Sequence, residues 1–370
     1  MKTSSFTKRS LITFVSVFAL VSVLMLLSSY RVAGRKNATS EADTLKGLKD
    51  FYKGYFPIGV AVAPNSFEGA QAELIKKHFN SLTAENVMKP GPIHPEEKRY
   101  FWDDADKIVN FAQANGMKVR GHTLCWHSQT GAWMFKDAAG NQVSKEVALA
   151  RLKDHITQVV SRYKGKVYGW DVLNEAIADD RDSTKIFRES PWYKICGEEY
   201  FAKVFQWAHE ADPNAVLFYN DYNTENPVKR DKIYNVLKKL LKEGVPIHGV
   251  GLQGHWNVDN PSEQNLRASI DKFSSLGLKI QITELDVSIY SSRTDTVNIG
   301  FTPSREQKQI DFYKMIFKVF REKKDLITGV TFWNVSDRRS WLDRGNKKVY
   351  PLLFDENLKP KKAYWEVVKF

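Results

Sequence analysis

The stretch KVYGWDVLNE, residues 166–175, shows the pattern from which the fold can be predicted. Its run of apolar and β-branched residues predicts a buried β-strand. The run ends in Asn174 and Glu175 rather than in a turn of Gly or Pro. A carboxylate at the rim of a buried strand is poorly solvated, which is costly unless the protein uses it. The residues that surround Glu175 in the fold therefore indicate what this carboxylate does.

Seven further segments follow the same pattern, in which an apolar run ends in polar or aromatic residues and an amphipathic segment comes next. In chain order, the eight runs are FPIGVAVA (56–63), FNSLTAEN (79–86), KVRGHTLCWH (118–127), KVYGWDVLNE (166–175), AVLFYNDYN (215–223), IHGVGLQGHW (247–256), LKIQITELDV (278–287) and ITGVTFWNVSD (327–337). Strands that alternate with helices predict a parallel sheet. Eight such units predict the α/β class and a single (β/α)8 TIM barrel, with no second domain.

The segments between the runs have helical periodicity. Leu152, Ile156 and Val159 recur at intervals of three and four and form one apolar face. Thr302 followed by Pro303 predicts an N-cap and the first residue of another helix. Both signals favour helices that pack one side against the barrel.

Polar residues gather at the carboxyl ends of the predicted strands. They are Glu85 and Asn86, His122 to His127, Asn220 to Asn223, Gln253 to Trp256, Glu284 to Asp286, and Trp333 to Asp337. Because the strands are parallel, these ends meet at one mouth of the barrel, where active sites of this fold lie. We therefore predict a polar basin at that mouth.

Two carboxylates of this basin stand out, Glu175 on the fourth strand and Glu284 on the seventh. Strands four and seven are three steps apart in an eight-stranded ring, so these side chains face each other across the mouth. Each alone fits a structural capping or ion-pairing group. Together with the nearby Trp, His and Asn residues they predict the paired carboxylates of glycoside hydrolysis.

Other chemistries lack their motifs. The chain has 370 residues and a net charge of +12, but its Lys and Arg residues are scattered over helical segments, which argues against nucleic-acid binding. No phosphate loop, dinucleotide fingerprint, serine-hydrolase elbow or metal motif is present. His155 and His209 are predicted on helix surfaces. Cys125 is expected to be a buried thiol, and a disulfide between Cys125 and Cys196 remains open.

The N-terminus predicts export. Basic residues precede the apolar run LITFVSVFALVSVLMLL, residues 11–27. Residues 1–34 are therefore interpreted as a signal peptide, or alternatively as an uncleaved membrane anchor. Residues 35–44 form a polar linker, and residues 45–370 form the catalytic barrel. The expected location is secreted, periplasmic or at the cell surface.

The chain resembles family 10 of the glycoside hydrolases, which are endo-β-1,4-xylanases. The matching motifs appear in the family's order and cover residues 45 to 370. They are TAENVMKP (83–90), GHTLCWHSQ (121–129), WDVLNEA (170–176), NDYN (220–223), GLQGHW (251–256), ITELDV (282–287), TFWNVSD (331–337) and PLLFDENLKPKKAYW (351–365). Together these motifs are far more specific than any one of them.

The resemblance implies a role for each matching residue. Glu175 corresponds to the acid/base and Glu284 to the nucleophile. Asp286 stands behind the nucleophile as a supporting group for His255. The implied substrate-binding residues are Glu85, Asn86, Lys89, His122, Trp126, Gln129, Asn174, Tyr222, Gln253, His255, Trp333 and Trp341. Among these, Glu85, Asn86 and Lys89 bind the next sugar on the non-reducing side, and Tyr222 faces the leaving group.

The predicted function is retaining hydrolysis of internal β-1,4-xylosidic bonds in xylan by a monomer, with no metal and no cofactor. Retention requires the two carboxyl groups to lie about 5–5.5 Å apart. A retaining cellulase or mannanase is the alternative enzyme. A non-catalytic polysaccharide-binding protein is the alternative from another class, and both carboxylates being present argues against it.

Three residues near the last strand are of interest. Asn334 stands where Gly is common in the family, beside a Trp implied to contact substrate. Arg338 and Arg339 precede Trp341, and we interpret them as solvated residues. Contact with acidic side groups of xylan is the alternative.

Overall fold

A parallel sheet forms the centre of the molecule. The computed structural model describes residues 46–291 and 299–370. In these ranges the strands are β1 (Ile58–Val62), β2 (Ser81–Ala84), β3 (Lys118–Trp126), β4 (Gly169–Asn174), β5 (Val216–Asp221), β6 (Gly249–Leu252), β7 (His255–Asn257), β8 (Lys279–Ser288) and β9 (Ile327–Phe332). Each strand overlaps one of the eight runs predicted from the sequence, and only β7 and β8 extend past their runs, by one residue each.

The sheet closes on itself. Neighbours pair in parallel in the order β1 to β6, and β6 then pairs with β8, β8 with β9 and β9 with β1. The short β7 is an additional strand that pairs with the end of β8. The predicted (β/α)8 TIM barrel is thereby confirmed. The sixth predicted run contains two strands, because the chain turns at Gly254, whose φ of 81° suits glycine.

Helices follow the strands along the chain. In the described ranges they are α1 (Leu48–Phe51), α2 (Gly69–His78), α3 (Pro90–Ile93), α4 (Asp103–Ala114), α5 (Lys145–Arg162), α6 (Pro191–Cys196), α7 (Glu199–Ala211), α8 (Pro227–Lys242), α9 (Glu263–Ser274), α10 (Pro303–Glu322) and α11 (Lys362–Val368). The Thr302 hydroxyl accepts a hydrogen bond from the Arg305 amide, and Pro303 is the first residue of α10, which confirms that helix start.

The core contains both packed apolar side chains and a buried polar layer. Trp170 is fully buried. Inside the barrel, the Arg120 guanidinium pairs with both carboxylate oxygens of Asp171, and its Nε donates to Gln281 at 2.8 Å. Since Arg120 and Asp171 pair with each other, the barrel holds these two charges beneath its mouth without leaving either unpaired.

Expectations about two cysteines and two histidines can be compared with the structure. Cys125 and Cys196 are both buried free thiols, so they form no disulfide. The prediction that His155 lies on a helix surface is wrong, because it is fully buried. Its Nδ1 lies 3.2 Å from Nδ1 of His94, and burial followed by the nearby His94 lowers the pKa of His155 to about 3. His209, by contrast, is partly exposed.

The predicted signal or anchor (1–34), the whole predicted linker (35–44) and residue 45 lie outside the described residues. Residues 47–370 form one compact unit. In the part of the chain that the structure describes, no helix is both long and apolar enough to cross a membrane.

The contact between β3 and β4 leaves no space for a methyl group at Gly121. A Cβ at this position would lie 2.1 Å from the Trp170 ring. We expect Gly121→Ala to lower the free energy of unfolding by about 1–3 kcal/mol through overpacking. Gly54→Ala is the matched control, because a Cβ there meets nothing within 4 Å. Urea denaturation of both variants checks this, and equal stability would contradict it.

Candidate active site

A cleft of about 570 Å³ opens at the carboxyl ends of the barrel strands. Every residue that the sequence predicted to be catalytic or substrate-binding lines it. The lining residues are Glu85, Asn86, Lys89, His122, Trp126, Gln129, Asn174, Glu175, Tyr222, Gln253, His255, Glu284, Trp333, Trp341 and, beyond the prediction, Arg339. Asp286 lies behind His255, as expected for a supporting group.

The two glutamates approach the cleft from different backbone positions. Glu175 directly follows β4, at φ 55°, and its amide donates to the Asn220 carbonyl at 2.9 Å. Glu284 lies within β8, and its amide donates to the Gln253 carbonyl at 2.7 Å. Because β5 and β6 stand between β4 and β8, the side chains reach the cleft from separate walls.

Glu284 is the more deeply placed carboxylate, with a side chain only 6% exposed. Asn220 donates to its Oε1 at 2.8 Å. The Nε2 of His255 lies 3.1 Å from its Oε2, and Nδ1 of His122 lies 4.0 Å from its Oε1. Both oxygens therefore have partners.

These partners decide the charge of Glu284. Burial alone would raise its pKa. The electrostatic interaction with His122, the hydrogen bond and charge of His255, and the charge of Lys89 outweigh burial and lower the pKa of Glu284 to about 2. Glu284 is therefore a carboxylate throughout the neutral range.

His255 links Glu284 to Asp286. Its Nδ1 lies 2.9 Å from Asp286 Oδ2, which also accepts a hydrogen bond from Trp341 Nε1 at 2.8 Å. Burial opposes the imidazolium, but Asp286 and then Glu284 raise the pKa of His255 to about 9. A charged His255 between two carboxylates orients the Glu284 side chain as well as stabilising its charge.

Glu175 has different neighbours. Trp126 Nε1 donates to its Oε2 at 3.0 Å, and Gln253 Nε2 donates to its Oε1 at 2.9 Å. Its side chain is 14% exposed, more than that of Glu284. His127 Nε2 lies 3.9 Å from Oε2, but burial and then the charge of Arg188 lower the pKa of His127 to about 4. The groups around Glu175 are therefore mainly neutral donors.

One end of the cleft is formed by the residues after β2. Lys89 Nζ donates to Asn86 Oδ1 at 2.9 Å and lies 5.0 Å from the centre of the Trp126 ring. The buried Glu85 has Arg339 Nη2 at 3.7 Å. This end thus presents a carboxylate, an amide and an ammonium group around aromatic faces, which suits a hydroxyl-rich ligand.

The other end of the cleft is formed by Tyr222. Its hydroxyl accepts a hydrogen bond from Arg188 Nη2 at 2.8 Å, and Lys229 Nζ lies 3.6 Å from the centre of its ring. Arg188 Nε also donates to the Glu175 carbonyl at 2.6 Å. The backbone of Glu175 and the Tyr222 ring are therefore held by the same guanidinium.

Similarity to known proteins agrees with this geometry. The sequence profile described as glycosyl hydrolase family 10 matches residues 47–370. The chain belongs to this family. It is 49% identical over 358 residues to a β-1,4-xylanase of Dictyoglomus thermophilum, covering 95% of this chain and 99% of that protein.

Other relatives extend the comparison. The family 10 chain is 48% identical over 330 residues to an endo-1,4-β-xylanase of Caldicellulosiruptor saccharolyticus, covering 87% of this chain and 95% of that protein. A xylanase from Paenibacillus barcinonensis, solved with a conduramine derivative, superposes with a TM-score of 0.85 at 45% identity, covering 90% and 99% of the two chains.

Sequence reasoning missed several groups of the family 10 site. Asn220 was only part of a polar strand end, although it bonds Glu284 directly. Asp171, which accepts from His122 Nδ1 at 2.9 Å, was read as part of an apolar strand. Arg339 was interpreted as merely solvated, but it lines the cleft. An inward-facing polar residue in an otherwise apolar strand was the signal available for Asp171.

His122 lies on β3 and His127 directly follows this strand, and their positions show that the chain bends here. On a regular strand His122 and His127 would point to opposite faces. The pairing of β3 with β4 shifts register between His122 and Cys125, and His122 then lies near Glu284 while His127 lies near Glu175. No set of three or more potential ligands is arranged around a metal site in the described residues.

The Glu284–His255 pair predicts how stability depends on pH. The pKa of His255 is raised from 6.5 to about 9, so its contribution is complete below pH 6.5 and is lost as pH rises through 9. The pKa of Glu284 is lowered from 4.5 to about 2, so its contribution is complete above pH 4.5 and is lost as pH falls through 2. The pair therefore contributes fully between pH 4.5 and 6.5.

We expect His255→Gln to cost roughly 3 kcal/mol of stability at pH 6, and the difference from wild type to shrink by pH 10. Chemical denaturation at both pH values measures this. His127→Gln is the matched control, since the pKa of His127 near 4 keeps it neutral at both pH values. A His255→Gln difference that stayed constant between pH 6 and 10 would rule out the charged pair.

Proposed function

We infer that the chain is an endo-β-1,4-xylanase that hydrolyses internal bonds of xylan with retention of configuration, with Glu284 as nucleophile and Glu175 as acid and base. Membership of family 10 and the xylanase relatives support the activity. The observation that carries the residue roles is the difference between the two glutamates. Glu284 is surrounded by positive groups that keep it ionised, whereas Glu175 contacts neutral donors.

In the first step, a Glu284 carboxylate oxygen attacks the anomeric carbon of the bound sugar. The bond from that carbon to the glycosidic oxygen breaks, and Glu175 gives its proton to the departing oxygen. Charge develops on the sugar ring as the bond lengthens. Asn174, whose side-chain amide lies 2.9 Å from Asn220 Nδ2, is placed beside Glu284 to hold the hydroxyl at carbon 2.

In the second step, water hydrolyses the glycosyl-enzyme intermediate. Glu284 carries no charge once it is esterified. Glu175, which lost its proton in the first step, accepts a proton from the water as the water attacks the anomeric carbon. The Glu284 carboxylate is released and recovers its bonds to His255 and Asn220. Trp126 and Gln253 keep the Glu175 side chain at the same place in both steps.

The cleft favours xylose over hexoses at its Glu85 end. Glu85, Asn86 and Lys89 lie close to the aromatic walls, with Lys89 Nζ 6.0 Å from the centre of the Trp333 ring. Trp341 packs on His255 with ring centroids 4.7 Å apart. Xylose lacks the hydroxymethyl arm of glucose, so these side chains can close around it without a clash.

We further propose that the enzyme acts outside the cytoplasm as a monomer and does not bind nucleic acid. The basic start and the apolar run 11–27 support export. N-terminal sequencing of secreted protein should give a mature chain that starts after this run. Enzyme found only in the cytosol, with Met1 intact, would contradict export without affecting the proposed activity.

Hydrolysis of xylan, cellulose and mannan, compared side by side, tests the substrate. We expect xylan to be cleaved internally into short oligosaccharides and the two hexose chains to be cleaved far more slowly, because the Glu85 end closes around a pentose. Product analysis by chromatography measures this, and proton NMR should show the β-anomer at the newly formed reducing end. Preferential cleavage of cellulose, or an initial α-anomer, would exclude the proposed function or mechanism respectively.

The two glutamates should respond differently to substitution. Glu175→Ala should slow xylan cleavage by roughly 10²–10⁴-fold, since the sugar leaving group needs a proton. A nitrophenyl glycoside leaves without one, so the glycosyl-enzyme should still form, and azide should rescue its breakdown. Glu284→Ala should lose activity on both substrates, because no covalent intermediate can form.

Steady-state and burst kinetics on both substrates measure these effects. Glu189→Ala is a suitable control, since this exposed carboxylate follows the same strand but does not line the cleft. The assigned roles are wrong if Glu175→Ala affects both substrates equally and azide has no effect.

A further inference from the structure

A side pocket of about 260 Å³ lies next to the Glu85 end of the cleft. It shares Glu85 and Arg339 with the cleft, so a group attached to the sugar at Glu85 can reach it. Its other polar walls come from Asn65 and Gln71 after β1, and from Asn334, Ser336 and Arg338 after β9. Its volume suits a single sugar ring rather than a second polysaccharide chain.

Positive charge exceeds negative charge around this side pocket. Arg338 and Arg339 are its cations, and Glu85 is the acidic residue in its lining. Arg339 Nη2 lies 3.7 Å from Glu85 and remains 62% exposed. Arg338 Nε donates to the Glu356 carbonyl at 3.0 Å, and among the described residues no carboxylate lies within ion-pairing distance of Arg338. A second anion can therefore be accommodated.

The two arginines are held on an anchored turn. Asp337, between Ser336 and Arg338, is buried and accepts hydrogen bonds from Lys361 Nζ and the Leu352 amide, both at 2.8 Å. The Arg339 amide donates to the Ser336 carbonyl at 3.3 Å. Because Asp337 anchors the turn, the backbone that carries Arg338 and Arg339 is held beside the side pocket.

Asn334 also lines the side pocket and has a side-chain oxygen that could accept a hydrogen bond. It is 6% exposed, and its Oδ1 has no hydrogen-bond partner within the described structure. Its φ of 110° is favourable for glycine and strained for asparagine. A glycine would remove the strain but supply no acceptor. A strained residue with a buried free acceptor is consistent with a ligand-binding role.

We propose that this side pocket binds a uronic acid side group carried by the xylose unit that contacts Glu85. This inference rests on the proposed xylanase function. The Arg338 and Arg339 guanidinium groups bind the carboxylate, for which their planar geometry is well suited, and Asn334 Oδ1 accepts a hydroxyl of the side group. The enzyme is thereby directed to acidic stretches of xylan.

The test compares three oligosaccharide substrates of the same backbone length: unsubstituted, substituted with glucuronic acid, and substituted with the carboxyl group reduced to an alcohol. We expect acidic products with the side group on the second sugar from the new reducing end, located by mass spectrometry. The kcat/KM of the acidic substrate should exceed that of its reduced form, and the ratio should decline as salt rises.

Arg338→Gln with Arg339→Gln should lower the ratio of acidic to reduced kcat/KM by roughly tenfold. Arg99→Gln is the matched control, since this exposed arginine lines neither pocket, and it should keep the ratio. Asn334→Gly should slow both substituted substrates relative to the unsubstituted one, while raising thermal stability through loss of strain.

Failure of this inference can be distinguished from failure of the proposed function. Equal rates on the acidic and reduced substrates, or an unchanged ratio in the double arginine variant, would overturn the side-pocket assignment while unsubstituted xylan was still hydrolysed. Products that place the side group on any other sugar would overturn it too. No hydrolysis of the unsubstituted oligosaccharide would instead refute the xylanase function itself.

Discussion

The charge on buried Glu284 is the constraint on which the site depends. A carboxylate inside a barrel loses its hydration, and without partners it would take up a proton and could not act as the proposed nucleophile. The fold prevents this by placing Asn220, His255, His122 and Lys89 around it. His255 in turn needs Asp286 and Trp341 behind it, so the second layer of the site follows from the same constraint.

The groups around Glu284 are themselves connected to buried polar residues deeper in the barrel. His122 contacts Asp171, and Asp171 pairs with Arg120, so polar contacts continue from the cleft floor to the buried Arg120–Asp171 pair. Glu175 is not part of this series of contacts. It is attached to the end of β4 and is held by Trp126 and Gln253, which carry no charge. Two identical side chains in one cleft thereby acquire different chemistry from their surroundings.

The walls of the cleft are built on the strand ends and the loops that follow them. At the Tyr222 end, the Arg188 guanidinium donates to both the Tyr222 hydroxyl and the Glu175 carbonyl. At the Glu85 end, the turn after β9 is fixed by the buried Asp337–Lys361 pair and carries arginines over a side pocket. The rigid barrel thus separates two tasks, since strands position the reacting groups and loops determine which sugar chains fit.

The amino-acid sequence alone predicts the barrel, because eight apolar runs that alternate with amphipathic segments can close into one ring of parallel strands. It also determined the cleft residues, since parallel strands bring their polar ends to the same mouth. Features that depend on contacts between distant segments are visible only in the folded barrel. His155 has the local pattern of a surface helix residue, but packing against His94 buries it. Three site contacts also join distant segments: Asn220 with Glu284, Asp171 with His122, and Arg339 with Glu85. Closure of the barrel sets these distances, and the local sequence does not.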